Sequence, residues 1–246
     1  MTDPLVEALI KARTGGAKLP ESAADGLTRD RIFAVQEAVA ARLGPVGGFK
    51  VACPPDAPIV IAPIMARDIH QSPAEITLPA GEEVGVELEY AYRLIAPVPD
   101  PDADDFEDTL RRAVELLPAF ELVRSRLADP RGASAALKML DNQLNGAVVP
   151  GLPVRDWHGI DVTCATARLR RGDDTLLDGA ATLPGGDAFA TLCALVRALG
   201  GHCGGLRVGH VVITGSLNGL PWVTPPLSVS GGISGLGEMA MTLTAG

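Results

Sequence analysis

Apolar residues recur at helical spacing at the start of the chain. Asp3 followed by Pro4 has the form of an N-cap and a first-turn proline. The apolar positions after them fall on one stripe, at Leu5, Leu9, Ile10 and Ala12. The stripe stops at Gly15 and Gly16, so the pattern predicts a helix that ends there.

A second helix is predicted to begin near Thr28 and to end at Gly44 and Pro45. Its apolar face consists of Ile32, Val35, Val39 and Leu43. Both helices precede every segment with candidate chemistry. We therefore expect residues 1–46 to form an N-terminal helical segment and residues 47–246 to form a β-rich catalytic domain.

From Gly47 onward, short apolar runs are broken by proline and glycine, as in Pro58 to Ile64, which favours strands and loops. The segment Val84 to Leu94 alternates in polarity and is predicted to be a strand. One face carries Val86, Leu88, Tyr90 and Tyr92, and the other carries Glu87, Glu89 and Ala91.

The next apolar stretch is predicted to be a helix through Leu110, Val114 and Leu117, ended by Pro118 and followed by a strand from Ala119 to Ser125. Two more elements are predicted downstream. They are a helix capped by Asp187, with Phe189, Leu192, Leu195, Val196 and Leu199 on one face, and an apolar strand over His210 to Thr214.

Composition narrows the class of protein. The chain is 47% hydrophobic and 21% charged, which is typical of a folded protein with one main core. Its formal net charge of -9 disfavours nucleic acid and anionic membranes as partners. Because the start lacks a basic, apolar leader and no apolar run reaches 18 residues, we expect a soluble, cytoplasmic protein.

The cysteines and histidines are dispersed. Cys53, Cys164, Cys193 and Cys203 contain no pair at the spacing of a zinc or redox motif, so they are interpreted as reduced thiols. His70, His158, His202 and His210 are interpreted as surface or structural residues.

Three glutamates carry the strongest chemical signal. On a strand, Glu87 and Glu89 leave the same face with Cα atoms about 7 Å apart. Alone, they also fit a solvent-exposed strand face. Glu121 interrupts an otherwise apolar run, where an unpaired charge would be costly. Three oxygen ligands favour Mg²⁺ or Mn²⁺ over zinc.

At these residues the chain resembles the fumarylacetoacetate hydrolase superfamily, in its branch of 2-keto-4-pentenoate hydratases and 4-oxalocrotonate decarboxylases. The resemblance extends from about Thr28 to the C-terminus. The motifs that carry it are Phe33 to Gln36, Gly48 to Val51, Val86 to Glu89, Pro118 to Arg126, Asp141 and Asn142 with Gly146, and Val212 to Ser216 with Gly219. It implies an α+β fold in which a curled mixed β-sheet core follows the helical segment.

The resemblance also implies roles for individual residues. Glu87, Glu89 and Glu121 would bind the metal, and Lys50 would face the pocket, although a lysine after two glycines also fits a solvated turn. Asp68 is the candidate general base. The remaining substrate-binding candidates are Leu88, Asn142, Asn145 and Ser216.

Three positions depart from the branch pattern. Leu144 and Asn145 stand where small hydroxyl residues are usual, Arg124 stands where an acid is common, and Phe49 stands where several hydratases have arginine. We expect these changes to affect the substrate pocket more than the metal site.

The resemblance implies a homo-oligomeric lyase that hydrates 2-hydroxypenta-2,4-dienoate or a related 2-oxo acid in aromatic-compound catabolism. A decarboxylase of the 4-oxalocrotonate type and an acylpyruvate-type C–C hydrolase are the alternative enzymes. A non-catalytic partner subunit is the alternative outside enzymes. The apolar Leu144 favours a monocarboxylic substrate.

Overall fold

The computed structural model describes residues 3–246 as two β-sheets with five α-helices. The helices are α1 (Pro4–Arg13), α2 (Arg29–Leu43), α3 (Phe106–Arg112), α4 (Ala135–Leu140) and α5 (Ala188–Leu199). The strands are β1 (Val46–Ala52), β2 (Val60–Met65), β3 (Ala74–Leu78), β4 (Val84–Leu94), β5 (Val114–Val123), β6 (Asn145–Pro150), β7 (Ala165–Arg171), β8 (Asp174–Ala181), β9 (Val211–Ser216), β10 (Trp222–Val223), β11 (Leu227–Ile233) and β12 (Gly237–Ala245).

The larger sheet has seven strands in the order β2-β1-β9-β4-β5-β6, with β10 paired to β4. Its β1 and β9 run parallel, whereas its other pairs are antiparallel. The smaller sheet has the order β3-β12-β11-β7-β8. The main apolar core includes residues of both sheets and of α5. The predicted α+β class with a mixed sheet is confirmed.

The helices predicted at Asp3, Thr28 and Asp187 are confirmed. Each of these residues is an N-cap whose side chain accepts a hydrogen bond from a backbone N–H in the first turn. Helix α2 ends at Leu43 and β1 begins at Val46. Residues 1 and 2 of the predicted helical segment lie outside the described residues. Helices α1 and α2 share a second apolar core with α4.

The prediction of a helix through Leu110, Val114 and Leu117 is wrong from Val114 onward. Helix α3 ends at Arg112, and β5 starts at Val114 and contains Leu117 and Pro118. The strand predicted from Ala119 is therefore the second half of β5. Every residue of β5 is buried, because β4 and β6 flank it and both faces of the sheet are covered. A continuous apolar run of this kind satisfies helical spacing as well as strand burial.

Close packing of β1 against β9 positions the candidate lysine. A Cβ on Gly48 would lie 1.9 Å from the carbonyl oxygen of Val211, so only glycine fits there. Lys50 then pairs with Ile213 on β9. None of the helices in residues 3–246 is long and apolar enough to cross a membrane.

Candidate active site

Three carboxylates meet on one face of the larger sheet. Glu87 and Glu89 lie on β4, and Glu121 lies directly opposite Glu87 on the antiparallel strand β5. One carboxylate oxygen of each residue lies within 4.8 Å of the other two. Glu89 and Glu121 are buried, and Glu87 is half-buried. The alternation of β4 and the register with β5 therefore bring together the three acids predicted from the sequence.

This clustering makes the charged forms of the carboxylates costly. Burial, followed by the charge of Glu121, raises the pKa of Glu87 to about 7. The pKa of Glu89 is raised well above its ordinary value, first by burial and then by Glu121 and Glu87. The cluster concentrates negative charge where water cannot screen it, so a cation there would be strongly favoured.

Lys50 supplies one positive charge to the cluster. Its Nζ donates to both carboxylate oxygens of Glu121 at 2.7 Å and to the Gln143 carbonyl oxygen at 3.1 Å. Burial disfavours the ammonium, yet Glu121, Glu87 and Glu89 outweigh that effect and raise the pKa of Lys50. Lys50 therefore contacts a candidate metal ligand directly, which the sequence did not predict.

Two further predicted residues lie beside the cluster. Asn145, on β6, donates from Nδ2 to Glu121 Oε1 at 2.9 Å. At the end of β9, the Gly215 N–H donates to Glu89 Oε2 at 2.6 Å. The neighbouring Ser216 donates from Oγ to the Gly219 carbonyl oxygen at 2.7 Å and also lines the cavity beside the carboxylates. These bonds orient two of the three carboxylates.

The segment before β6 has an uncommon backbone. Asn142, Gln143 and Leu144 have consecutive φ values of 49°, 51° and 61°, in the left-handed region that non-glycine residues rarely adopt. The bond from Lys50 to the Gln143 carbonyl fixes the middle of this turn. Backbone strain held in place by surrounding contacts is a frequent feature of functional sites.

Glu87 and Glu89 open into a cavity of about 570 Å³, whereas Glu121 is fully buried and does not line it. Glu87, Glu89 and Lys50 lie at one part of its wall, and Leu144, Leu220 and Trp222 contribute apolar surface. Arg131 and Lys138 also line it. Neither was singled out from the sequence, because α4 and the loop before it reach the cavity only through tertiary folding.

Five of the predicted site residues do not line this cavity: Glu121 and Asn145, which belong to the cluster described above, and Leu88, Asp68 and Asn142. Leu88 points to the opposite face of β4 and is fully buried in the main core, as strand alternation requires. Asp68 lines a different cavity, next to Arg67. Asn142 is buried and its Oδ1 has no partner within residues 3–246.

The residues that depart from the branch pattern also lie in different parts of the structure. Leu144 lines the carboxylate cavity, as predicted. Phe49 is buried in the main core, because it alternates with Lys50 on β1. Arg124 forms a two-bond ion pair with Glu82 at 2.7 and 2.9 Å and lines the cavity that contains Asp68. The expectation that these four residues affect the substrate pocket is therefore wrong for Phe49 and Arg124, and Asn145 contacts the candidate metal ligand Glu121.

The donor set fits a hard divalent cation. Three carboxylates without cysteine or histidine suit Mg²⁺ or Mn²⁺, which prefer oxygen ligands and retain open positions for water or substrate oxygens. The ring of acids is built on two central strands, so its geometry is preorganised.

No protein-family model matches the chain. Solved structures are similar to it over most of its length. A 4-oxalocrotonate decarboxylase from Pseudomonas putida G7, complexed with calcium and acetate, has a TM-score of 0.78 at 16% identity and covers 97% of this chain and 95% of that chain. The same enzyme has also been solved with magnesium and adipate.

Two other enzymes are similar over a smaller part of the chain. A fumarylpyruvate hydrolase from Pseudomonas aeruginosa, in complex with Mn²⁺ and pyruvate, has a TM-score of 0.60 at 14% identity and covers 80% of this chain and 89% of that chain. A 2-hydroxyhepta-2,4-diene-1,7-dioate isomerase from Mycobacterium marinum has a TM-score of 0.59 at 17% identity and covers 82% of this chain and 76% of that chain. The chain therefore shares the fold of these enzymes, and the predicted fumarylacetoacetate hydrolase-like fold is confirmed.

Proposed function

We propose that this protein is a divalent-metal-dependent enzyme that acts on a small 2-oxo acid. Glu87, Glu89 and Glu121 would hold Mg²⁺ or Mn²⁺. The observation that carries the proposal is the cluster of these three carboxylates with Lys50, from which Glu87, Glu89 and Lys50 line one cavity. The similar structures that were solved with magnesium and adipate or with Mn²⁺ and pyruvate support it.

The reaction that we propose first is hydration of 2-hydroxypenta-2,4-dienoate or a related 2-oxo acid. When bound, the cation would act as a Lewis acid toward the carboxylate and 2-oxygen of the substrate. The Lys50 ammonium would hold the substrate carboxylate and move a proton as water adds across the carbon–carbon double bond. Ser216 would position the substrate, and Leu144 would exclude water from one wall.

Calorimetric titration of Mg²⁺ and Mn²⁺ tests the metal site. We expect one ion per chain, with at least a hundredfold loss of affinity in Glu87→Gln and Glu121→Gln, because each substitution removes one of three charged ligands. Glu238→Gln is the matched control, since Glu238 is an exposed acid on β12 paired with Arg168. Unchanged affinity in both ligand variants would exclude this site.

A decarboxylase is the second candidate, and two cations in the cavity favour it. Lys138 makes no hydrogen bond or ion pair through its side chain within residues 3–246. Arg131 lies over the Trp222 ring at 4.9 Å and pairs with Glu83 at 3.1 Å. Both are suited to a second carboxylate, as in a dicarboxylic 2-oxo acid, whereas the apolar Leu144 favours a monocarboxylate.

Relative specificity constants for the two substrate classes decide between these candidates. A hydratase should hydrate 2-hydroxypenta-2,4-dienoate in preference to decarboxylating an oxalocrotonate, and Leu144→Ser should shift the ratio toward the dicarboxylate. A decarboxylase should show the opposite preference, and Lys138→Met should lower kcat/KM for the dicarboxylate about tenfold or more while leaving the monocarboxylate unaffected. Metal binding with no turnover of either substrate would instead favour a non-catalytic partner subunit.

A further inference from the structure

A second cavity, of about 780 Å³, shares none of its lining residues with the carboxylate cavity. Its wall is formed by the end of α1, the turn after β2, the loop after β3 and the segment after β5. The proposed metal chemistry uses none of its residues. A function of this second cavity is therefore independent of the proposed metal chemistry.

Positive charge dominates this second cavity. Its lining includes five cationic side chains, at Arg13, Lys18, Arg67, Arg124 and Arg126, and only two acidic ones, at Asp68 and Glu82. The chain as a whole has a net charge of -9, so this local excess of cations is opposite in sign to the rest of the protein. A concave surface with such a field attracts anions.

Two of the five cations are already neutralised. Arg124 is held by both oxygens of Glu82. Arg126 is buried, pairs with Asp141 through Nε and donates to the carbonyl oxygens of Asn145 and Asp141. The protein itself therefore engages their hydrogen-bonding groups. These two arginines stabilise the cavity wall more than they offer donors to a ligand.

The other three cations are not neutralised in this way. Within residues 3–246, Arg13 and Lys18 make no side-chain hydrogen bond or ion pair, and Arg67 approaches Asp68 only to 3.8 Å. Arg13 Nε is completely shielded from solvent without a partner. Burial, followed by the charge of Arg126, lowers the pKa of Arg13 to about 9. Arg13 as a whole is half-buried, but its Nε–H has lost its hydration without gaining an acceptor.

We propose that this second cavity is a binding site for a phosphate group, with Arg13 at its base and Lys18 and Arg67 as its other ligands. The planar fork of Arg13, which is half-buried at the cavity wall, matches two oxygens of a phosphate. The cavity volume exceeds that of inorganic phosphate, so a small phosphate monoester also fits. Binding there would neutralise the charge of Arg13, Lys18 and Arg67.

Calorimetric titration of the full chain with inorganic phosphate and with glycerol 3-phosphate, in metal-free buffer at constant ionic strength, tests the site. We expect both probes to bind the wild type, and Arg13→Gln to weaken binding at least tenfold. Arg171→Gln is the matched control, because Arg171 is a paired arginine on β7 outside both cavities. Tighter binding of glycerol 3-phosphate identifies a phosphate ester as the ligand, whereas equal binding identifies the free anion.

Thermal unfolding in the absence of phosphate tests whether Arg13 has only a structural role. If Arg13 is retained for binding, the Tm of Arg13→Gln should match or exceed that of the wild type. If Arg13→Gln fails to fold, the double variant Lys18→Gln with Arg67→Gln replaces it, with the same expected loss. No phosphate binding by the wild type, or unchanged binding in these variants, would overturn the proposal.

Discussion

At the scale of single residues, burial turns ordinary side chains into a candidate site. Glu121 is fully buried, and its two carboxylate oxygens both accept hydrogen bonds from Lys50. This pair places Lys50 in direct contact with a proposed metal ligand, in addition to its proposed role toward the substrate. A nearby positive charge opposes the approach of a divalent cation, so Lys50 should lower the metal affinity of the cluster.

Lys50→Met tests this coupling. We expect the metal-free variant to be less stable than the wild type, because three carboxylates lose their counter-charge. Mg²⁺ should bind about tenfold more tightly, which corresponds to about 1.4 kcal/mol, while turnover of a 2-hydroxydienoate is lost. The measurements are Mg²⁺ calorimetry at pH 8 and steady-state kinetics. Weaker Mg²⁺ binding would show that Lys50 supports the ligands instead of competing with the ion, and full activity would remove Lys50 from the mechanism.

At the scale of secondary-structure elements, β4, β5 and one short turn determine the site. The antiparallel register places Glu87 opposite Glu121, and every residue of β5 and all of β4 except Glu87 and Arg93 are buried. The left-handed turn at Asn142 to Leu144 then presents a carbonyl to Lys50. Local sequence preference does not favour this turn, since it contains no glycine, so tertiary contacts must hold it.

Gln143→Gly should therefore stabilise the protein. Glycine adopts a φ of 51° without steric cost, and we expect a gain of about 0.5 to 1 kcal/mol in the free energy of unfolding. Gln143→Val should instead cost more than about 1 kcal/mol, because a β-branched residue is disfavoured there. Urea unfolding measures both. Gln71→Gly, at an exposed loop position without a positive φ, is the control and should be neutral or destabilising. A loss of stability in Gln143→Gly would show that the turn carries no strain.

At the scale of the whole molecule, the proposed metal site links binding to stability. The cluster spans the middle of the larger sheet, where β4 is flanked by β5 and β9. Repulsion among its carboxylates acts only in the folded state, where the strands bring them together. A cation that binds the folded state alone will stabilise the molecule by mass action. Assembly into a homo-oligomer stays a prediction.

Mg²⁺ at 100 times its Kd should raise the free energy of unfolding by about 2.7 kcal/mol. For a chain of this length we expect a rise of about 5 to 10 °C in Tm. Differential scanning calorimetry with and without Mg²⁺ measures the shift, and NaCl at equal ionic strength controls for screening. Glu121→Gln should lose the Mg²⁺ response and Glu238→Gln should keep it. An equal response in the two variants would place the stabilising ion elsewhere.

The sequence by itself determined the elements whose signals are local. Three helices were predicted correctly from their N-caps, at Asp3, Thr28 and Asp187, and β4 was predicted correctly from its alternation. Both signals are local, because capping and strand alternation depend on neighbours in the chain. The lone charge of Glu121 in an apolar run likewise marked a buried acid that needed a partner. The resemblance added the fold.

Only the tertiary structure decided which residues share a cavity. The apolar stretch from Val114 satisfied both helical spacing and a buried strand, and burial between β4 and β6 selected the strand. Leu88 and Asp68 were assigned to the site, yet strand alternation directs Leu88 into the core and the chain path places Asp68 in the second cavity. Lys138 and Arg131 reach the site from distant parts of the chain. Contacts between such distant residues depend on long-range packing, so the spacing of residues along the sequence does not predict them.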